Sequence, residues 1–357
     1  VKLLYITNGV NGSGGLERVL SIKASYLGEH YEYDVSILVL NNADHEPFYE
    51  FSPKIKFYSI DVEGNLIRYL KSYKNGVQRV VDDIQPDFIS VCDDGLKGFF
   101  IPSLIKTTAK MVYERHASIH LNTDNSIKGR VIKLLMQRQV SQFDRFVVLT
   151  NSNIEEWKGN NVIAIPNPVS FENNSTNSLQ NKRIIAVGSH SYNKGYDLLL
   201  ESWKLIEAKY PDWELNIYGK FDSEQTFIKQ KEELSLKKVF FYPPVKDIRE
   251  KYLESSIMVL PSRSEGFGMV LVEAMVCGIP CVSYDCPSGP RDIITNGEDG
   301  FLVKMGDIQS FSDKMQRLIE DDKLRKEMGG VALESVKRFS VPAALERWNS
   351  LFKELNS

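Results

Sequence analysis

Four cysteines in 357 residues are too few for a disulfide framework, and a chain of this length buries a sufficient core without one. Cys277, Cys281 and Cys286 lie near one another, but no histidine stands at zinc spacing. Packing as small apolar groups therefore outweighs metal binding there. An excess of one charge is also missing: 44 basic against 47 acidic side chains give a net charge of −3, which argues against wrapping nucleic acid. No apolar run approaches the roughly 18 residues needed to span a bilayer. The first residues, Val1-Lys2-Leu3-Leu4-Tyr5-Ile6, read as a β-strand and not as a signal peptide, so a cytoplasmic protein is expected. A dinucleotide fingerprint is absent as well. The glycine cluster Gly9, Gly12, Gly14, Gly15 fails the G-x-G-x-x-G register because Glu17 stands where the third glycine would fall.

Short β-branched or aromatic runs alternate with longer amphipathic stretches almost throughout, the pattern of parallel α/β architecture. Strands are expected at Lys2–Thr7, Asp34–Leu40, Lys56–Ile60, Asp87–Cys92, Lys110–Glu114 and Arg145–Leu149. Helices are expected between them at Leu16–Gly28, Leu66–Ile84, Leu96–Thr107 and Ile127–Gln142. After Pro166-Asn167-Pro168 comes a polar stretch without apolar period, and the alternation restarts at Arg183–Val187. Further strands follow at Trp213–Tyr218, Val239–Tyr242, Ile257–Leu260, Pro280–Tyr284 and Gly300–Val303. The expected organisation is thus a domain over 1–168, a polar linker over 169–181, a second domain over 182–340 and a final helical segment over 341–357. Two Rossmann-like, doubly wound parallel sheets predict a ligand cleft between them, beyond the strands' carboxyl ends.

The most informative stretch runs from Pro261 to Met275. An apolar strand enters the loop Ser262-Arg263-Ser264-Glu265-Gly266-Phe267 and then a helix beginning near Gly268. The unpaired N–H groups and positive dipole end of such a helix favour phosphate. Gly266 and Gly268 permit close backbone approach. Glu265 and Glu273 flank that end, and carboxylates accept hydroxyl hydrogen bonds of the kind a sugar or ribose offers. The spacing therefore points to a nucleotide-sugar site, against the plainer reading of a loop carboxylate and a solvated helix residue.

This segment, with Glu265-Gly266-Phe267-Gly268 and Glu273-Ala274-Met275-Val276-Cys277-Gly278-Ile279-Pro280, resembles the E-x7-E signature of the retaining GT-B glycosyltransferases of family 4. The resemblance implies that Glu265 contacts donor-sugar hydroxyls, that Glu273 contacts the ribose, and that the amides of Gly268, Met269 and Val270 face the sugar or diphosphate. It also implies that Val187-Gly188-Ser189-His190-Ser191-Tyr192-Asn193-Lys194-Gly195 corresponds to the Val-Gly-Arg…Lys-Gly motif, whose cations neutralise the diphosphate. Lys194 matches; the arginine position is Ser189. Lys194 is then expected to carry most of the charge, with Arg263 or His190 as helpers. Otherwise it is a solvated lysine before a helix.

Gly14-Gly15-Leu16-Glu17-Arg18-Val19 is similar to the family's loop across the donor diphosphate, which assigns Gly14 and Gly15 to donor binding. His116 follows the strand Lys110–Glu114, and the family's Glu-x-His implies a place near the donor sugar; the alternative is a structural histidine. Glu265, His116 and Lys194 are the expected catalytic residues. Gly14, Gly15, Gly188, Ser189, Lys194, Arg263, Glu265, Gly266, Phe267, Gly268, Met269, Val270 and Glu273 are the expected donor-binding residues. No metal is expected: Asp93-Asp94 lacks the Asp-x-Asp spacing and reads as a strand-end turn.

The loop Cys286-Pro287-Ser288-Gly289-Pro290 departs from the family's commoner Gly-Gly-x-x-Glu and resembles a subgroup acting in bacterial surface-polysaccharide assembly. Ile127 to Arg138 is basic and amphipathic, which suits either a solvated face over a core stripe or an anionic membrane. The combined expectation is a GT-B enzyme that moves a hexose or N-acetylhexosamine from a UDP-linked donor to a glycan or polyprenyl-diphosphate-linked acceptor, with peripheral contact at the inner face of the membrane in the second case. An epimerase of the same fold and a nucleotide-sugar-binding scaffold are the alternatives.

Overall fold

A computed structural model describes residues 1–12, 14–41, 46–119, 126–169, 171, 177–245 and 247–357. The chain forms two compact units: Val1–Ser170 with Val341–Ser357, and Phe171–Ser340.

The first unit holds seven parallel strands, β1 (Lys2–Thr7), β2 (Asp34–Leu40), β3 (Lys56–Ile60), β4 (Phe88–Cys92), β5 (Lys110–Glu114), β6 (Arg145–Val148) and β7 (Val162–Ala164), in the order β3-β2-β1-β4-β5-β6-β7. The central strand β4, Phe-Ile-Ser-Val-Cys, is buried at every residue because helices cover both faces. Alternate residues serve the two faces. Leu4, Ile6, Ile89 and Val91 pack with Tyr73, Val77 and Met136 on one side. Leu3, Tyr5, Val35 and Phe88 pack with Leu20, Ala24, Trp348 and Phe352 on the other. The last helix, Val341–Asn356, completes that second layer: the rings of Phe88 and Phe352 lie 4.9 Å apart, and the Tyr33 hydroxyl donates to Asn349 Oδ1 at 3.1 Å.

The second unit has six parallel strands, β8 (Arg183–Val187), β9 (Glu214–Tyr218), β10 (Val239–Tyr242), β11 (Ile257–Leu260), β12 (Cys281–Asp285) and β13 (Gly300–Lys304), ordered β10-β9-β8-β11-β12-β13. In both sheets the order reverses beside the first strand, between β1 and β4 and between β8 and β11. Such switch points leave a crevice at the carboxyl ends of the strands, where ligands of open α/β sheets bind.

Several details differ from the sequence reading. β7 is three residues long, too short for its apolar pattern to register before Pro166. In the second unit the helix after β8 spans Tyr196–Lys204. Residues 177–181 do not serve as a polar linker: Leu179 is buried and its carbonyl accepts from Arg325 Nε at 3.1 Å, while Asn177 Nδ2 donates to the Ser255 carbonyl at 2.9 Å. Most of the remaining polar stretch lies outside the described residues. The four cysteines are buried and form no disulfide, and burial pushes the Cys277 and Cys286 thiols up to about 12.

Candidate functional site

At the switch point of the second sheet, the loops after β8 and β11 are stitched together. Arg263 N donates to the Asn193 carbonyl at 2.7 Å, and Asn193 Nδ2 donates to the Ser264 carbonyl at 2.9 Å. Gly195, at φ +67°, admits this approach, since a Cβ there would collide with the Pro261 carbonyl. The result brings two expected site residues into contact: Lys194 Nζ lies 2.7 Å from Glu265 Oε1, with side chains 22% and 11% exposed. Gly188 abuts the same lysine, because a Cβ on it would stand 3.2 Å from Lys194 Cε. Ser189 is exposed.

Beside this pair starts the helix Met269–Val276, capped by Gly268 at φ +100° with no side-chain hydrogen bond to its first amides. The loop ahead of it is held from behind. Ser288 Oγ donates to the Glu265 carbonyl at 2.7 Å, and Gly289, at φ +97°, lies so close that a Cβ would strike the Phe267 carbonyl. The Ser288-Gly289-Pro290 variant of the loop thus fixes the height of Glu265. A lysine, an orientable carboxylate and an open helix N-terminus in one place can hold a diphosphate and the hydroxyls next to it.

Other expected residues sit differently. Arg263 is committed elsewhere: its guanidinium forms two bonds to Asp197, at 2.8 and 2.6 Å, and lies 3.8 Å from the Tyr192 ring centroid. That bidentate pairing neutralises the charge it was expected to lend. His190 is no helper either. It is 4% exposed among Tyr196, Phe221, Phe227 and Phe241, and burial lowers its basicity, so its ring is an apolar packing element. The Phe267 side chain is buried against Phe339, which leaves only its backbone for a ligand. Glu273 is buried and accepts from the Tyr252 hydroxyl at 3.1 Å, so any ribose contact must join or replace that bond. Gly266, Met269 and Val270 are half-buried along the loop and first helical turn.

In the first unit, Gly14 caps the helix Gly15–His30 and both Gly14 and Gly15 are exposed. The Glu17 side chain folds back over this loop, where a Cβ on Gly12 or Gly14 would meet its carboxylate. Ser13 lies outside the described residues. His116 follows β5 with its side chain 8% exposed; Nε2 is 3.4 Å from Glu114 Oε2, and Nδ1 is buried with no hydrogen-bond partner among the described residues. Glu114 is itself anchored. Ser90 Oγ donates to it at 2.5 Å, and the buried Lys23 ammonium, 3.9 Å from the Trp348 ring centroid, pairs with its other oxygen. Burial pushes the Glu114 carboxyl up, but Lys23 and His116 outweigh it and bring the group down to about 2. Asp93 and Asp94 tie strand ends together: Asp93 accepts from Asn8 Nδ2 at 2.8 Å, and Asp94 accepts from Arg115 Nη1 at 3.2 Å and from His116 N at 3.0 Å.

One group of metal-ligand type occurs among the described residues: Cys92, Glu114 and His116, with one ligand atom each within 4.8 Å. It does not suit a cation. Lys23 already pairs with the carboxylate, and burial, then Glu114, pushes the Cys92 thiol well up.

Sequence reasoning missed Lys23, Tyr192, Asp197 and Tyr252. Lys23 lies on a helix face otherwise formed by Leu20, Ala24 and Leu27, and a cation on such a stripe is a sign of a buried partner.

Residues 170–333, nearly the whole second unit, match the family described as glycosyl transferases group 1. With its two parallel-sheet α/β domains, the chain has the GT-B fold. An uncharacterized glycosyltransferase of Haemophilus influenzae is 29% identical over 98% of this chain and 99% of its own length. The amylovoran biosynthesis glycosyltransferase AmsD of Erwinia amylovora is 27% identical, covering 98% and 99%. S. aureus TarM, solved as a mutant in complex with Fondaparinux, alpha-GlcNAc-glycerol and UDP, matches with a TM-score of 0.81 at 15% identity, over 98% of this chain and 99% of that one.

Proposed function

We propose that this chain is a retaining glycosyltransferase that moves a hexose or N-acetylhexosamine from a UDP-linked donor to a glycan hydroxyl during bacterial surface-polysaccharide assembly. The observation that carries the reading is the Lys194–Glu265 pair, 2.7 Å apart, beside the uncapped helix Met269–Val276. Donor diphosphate takes Lys194 from Glu265 and lies against the first helical amides. Glu265, freed of its cation, accepts sugar hydroxyls. As the bond from the anomeric carbon to the diphosphate breaks, charge grows on the leaving oxygen, and the ammonium and amides stabilise it without a metal. The acceptor hydroxyl attacks the same face of the sugar, and its proton passes to the leaving phosphate. Glu273 serves the ribose by exchanging its Tyr252 bond. In the first unit, His116, with Nε2 held beside Glu114, serves a sugar hydroxyl, and Gly14 and Gly15 stand exposed at a helix start open to a ligand.

The relatives' names support polysaccharide synthesis, and UDP in the TarM crystal supports a uridine nucleotide. A panel of UDP- and GDP-sugars, read by thermal shift and slow donor hydrolysis with and without EDTA, tests the reading. A UDP-sugar should stabilise the protein, since a ligand bound only by the folded state raises its stability, and EDTA should change nothing. Lys194→Ala and Glu265→Ala should both weaken the response to the UDP-sugar. Release of an isomeric UDP-sugar would replace transfer by epimerisation, and binding without turnover on any acceptor would leave a scaffold.

A further inference from the structure

The helix Ile127–Gln139 buries only Gly129 and Met136. On the side opposite Met136, Ile127, Val131 and Leu134 recur at helical spacing and are 83%, 50% and 60% exposed. A helix that merely covers a sheet turns its apolar stripe inward. This one carries a second stripe, facing solvent.

A second helix of the same layer repeats the feature. Leu66–Ile84 contributes Tyr73, Val77 and Val80 to the core cluster that also holds Met136. Its apolar stripe continues past the core into the first turn, where Leu66, Ile67 and Leu70 are 74%, 79% and 43% exposed. Both helices start from the carboxyl ends of strands, after β3 and β5, so these residues lie towards the sheet edge that also bears His116.

Charge completes the pattern. In a chain of net charge −3, segment 66–75 holds Arg68, Lys71 and Lys74, and segment 127–139 holds Lys128, Arg130, Lys133 and Arg138, with no Asp or Glu in either. None of these seven cations forms an ion pair among the described residues. Arg130 and Lys128 flank the exposed stripe of their helix on its two sides, where long stems reach lipid phosphates while the aliphatic residues between them enter the acyl boundary. No described helix is long and apolar enough to cross a membrane, so the contact is one of lying on a surface.

We infer that this two-helix face docks on an anionic phospholipid bilayer. It rests on the proposed function and deepens it: the acceptor is a glycan on a lipid carrier, presented at the edge of the sheet where His116 stands. Co-sedimentation with vesicles of phosphatidylcholine alone, and with phosphatidylglycerol added, tests the inference on the full chain. Wild type should pellet with the anionic vesicles and be released by salt. The variant Ile127→Gln/Leu134→Gln should bind them at least about tenfold more weakly. Lys128→Gln and Arg130→Gln should each lose about fivefold, on anionic vesicles only. These side chains are exposed, so thermal midpoints and hydrolysis of a soluble UDP-sugar stay at the wild-type level, which separates failure here from failure of the transferase reading. Equal recovery of wild type in the supernatant with both vesicle types would overturn the inference. So would a soluble dimer that Ile127→Gln/Leu134→Gln dissolves, because the face would then be a protein interface.

Discussion

The two units each place a lysine against a glutamate at the end of a parallel strand, with opposite consequences. Lys23 and Glu114 have side chains 2% exposed, and Ser90, Trp348 and His116 surround them. Lys194 and Glu265 are 22% and 11% exposed and open beside an uncapped helix. Removing one partner of a buried pair strands a charge in low dielectric. Removing one partner of the open pair lets water or a phosphate take its place. The first pair is therefore a fixture that aims His116, and the second is one that a ligand can divide.

Breaking the buried pair should have the largest effect. Lys23→Met should cost about 3–5 kcal/mol of stability, read from chemical denaturation, because Glu114 loses its cation. Lys23→Met/Glu114→Leu should recover most of that loss, since no charge is then left buried; a double variant no better than the single would refute the assignment. Opening the second pair should act on turnover instead. Lys194→Ala should lower sugar transfer by about 10²- to 10³-fold, the scale of one lost transition-state donor, while its effect on stability stays below about 1 kcal/mol.

Acid should distinguish the pairs as well. The Glu114 carboxyl is held at about 2 in the fold, below its ordinary 4.5, so its contribution is complete above about pH 4.5 and fades as pH falls towards 2. Denaturation of wild type and of Lys23→Met/Glu114→Leu from pH 6 to 2 should show a steeper decline in wild type over that window. Parallel curves would contradict the account. The smallest effect is expected from Ser189→Arg, which adds a cation at an exposed strand end and should tighten UDP binding about fivefold in calorimetry.

The legibility of these regions differs for a physical reason. Lys194, Glu265 and the helix after Gly268 lie in short strand-loop-helix segments whose spacing is local, so their role can be read from the order of residues. Lys23 and Glu114 are 91 residues apart, and only the layer of helices on the first sheet unites them. Arg263 and His190 show the same limit inside the site. Their chemistry suits a diphosphate, but Asp197 claims one and an aromatic cage the other, and neither neighbour follows from spacing. Strand positions were largely legible because central parallel strands are short continuous apolar runs, as in β4 and β11, whereas β7 is too brief to form one. The exposed stripe of Ile127–Gln139 needed the structure, since an amphipathic pattern does not say which face is covered.

The most direct measurement is calorimetric titration of UDP and of the best UDP-sugar into wild type, Lys194→Ala and Glu265→Ala. The account predicts that Lys194→Ala weakens both ligands, whereas Glu265→Ala weakens the UDP-sugar but leaves UDP bound as well or better, because the lysine is already released. Equal affinity of all three proteins for both ligands would contradict a donor site built on this pair.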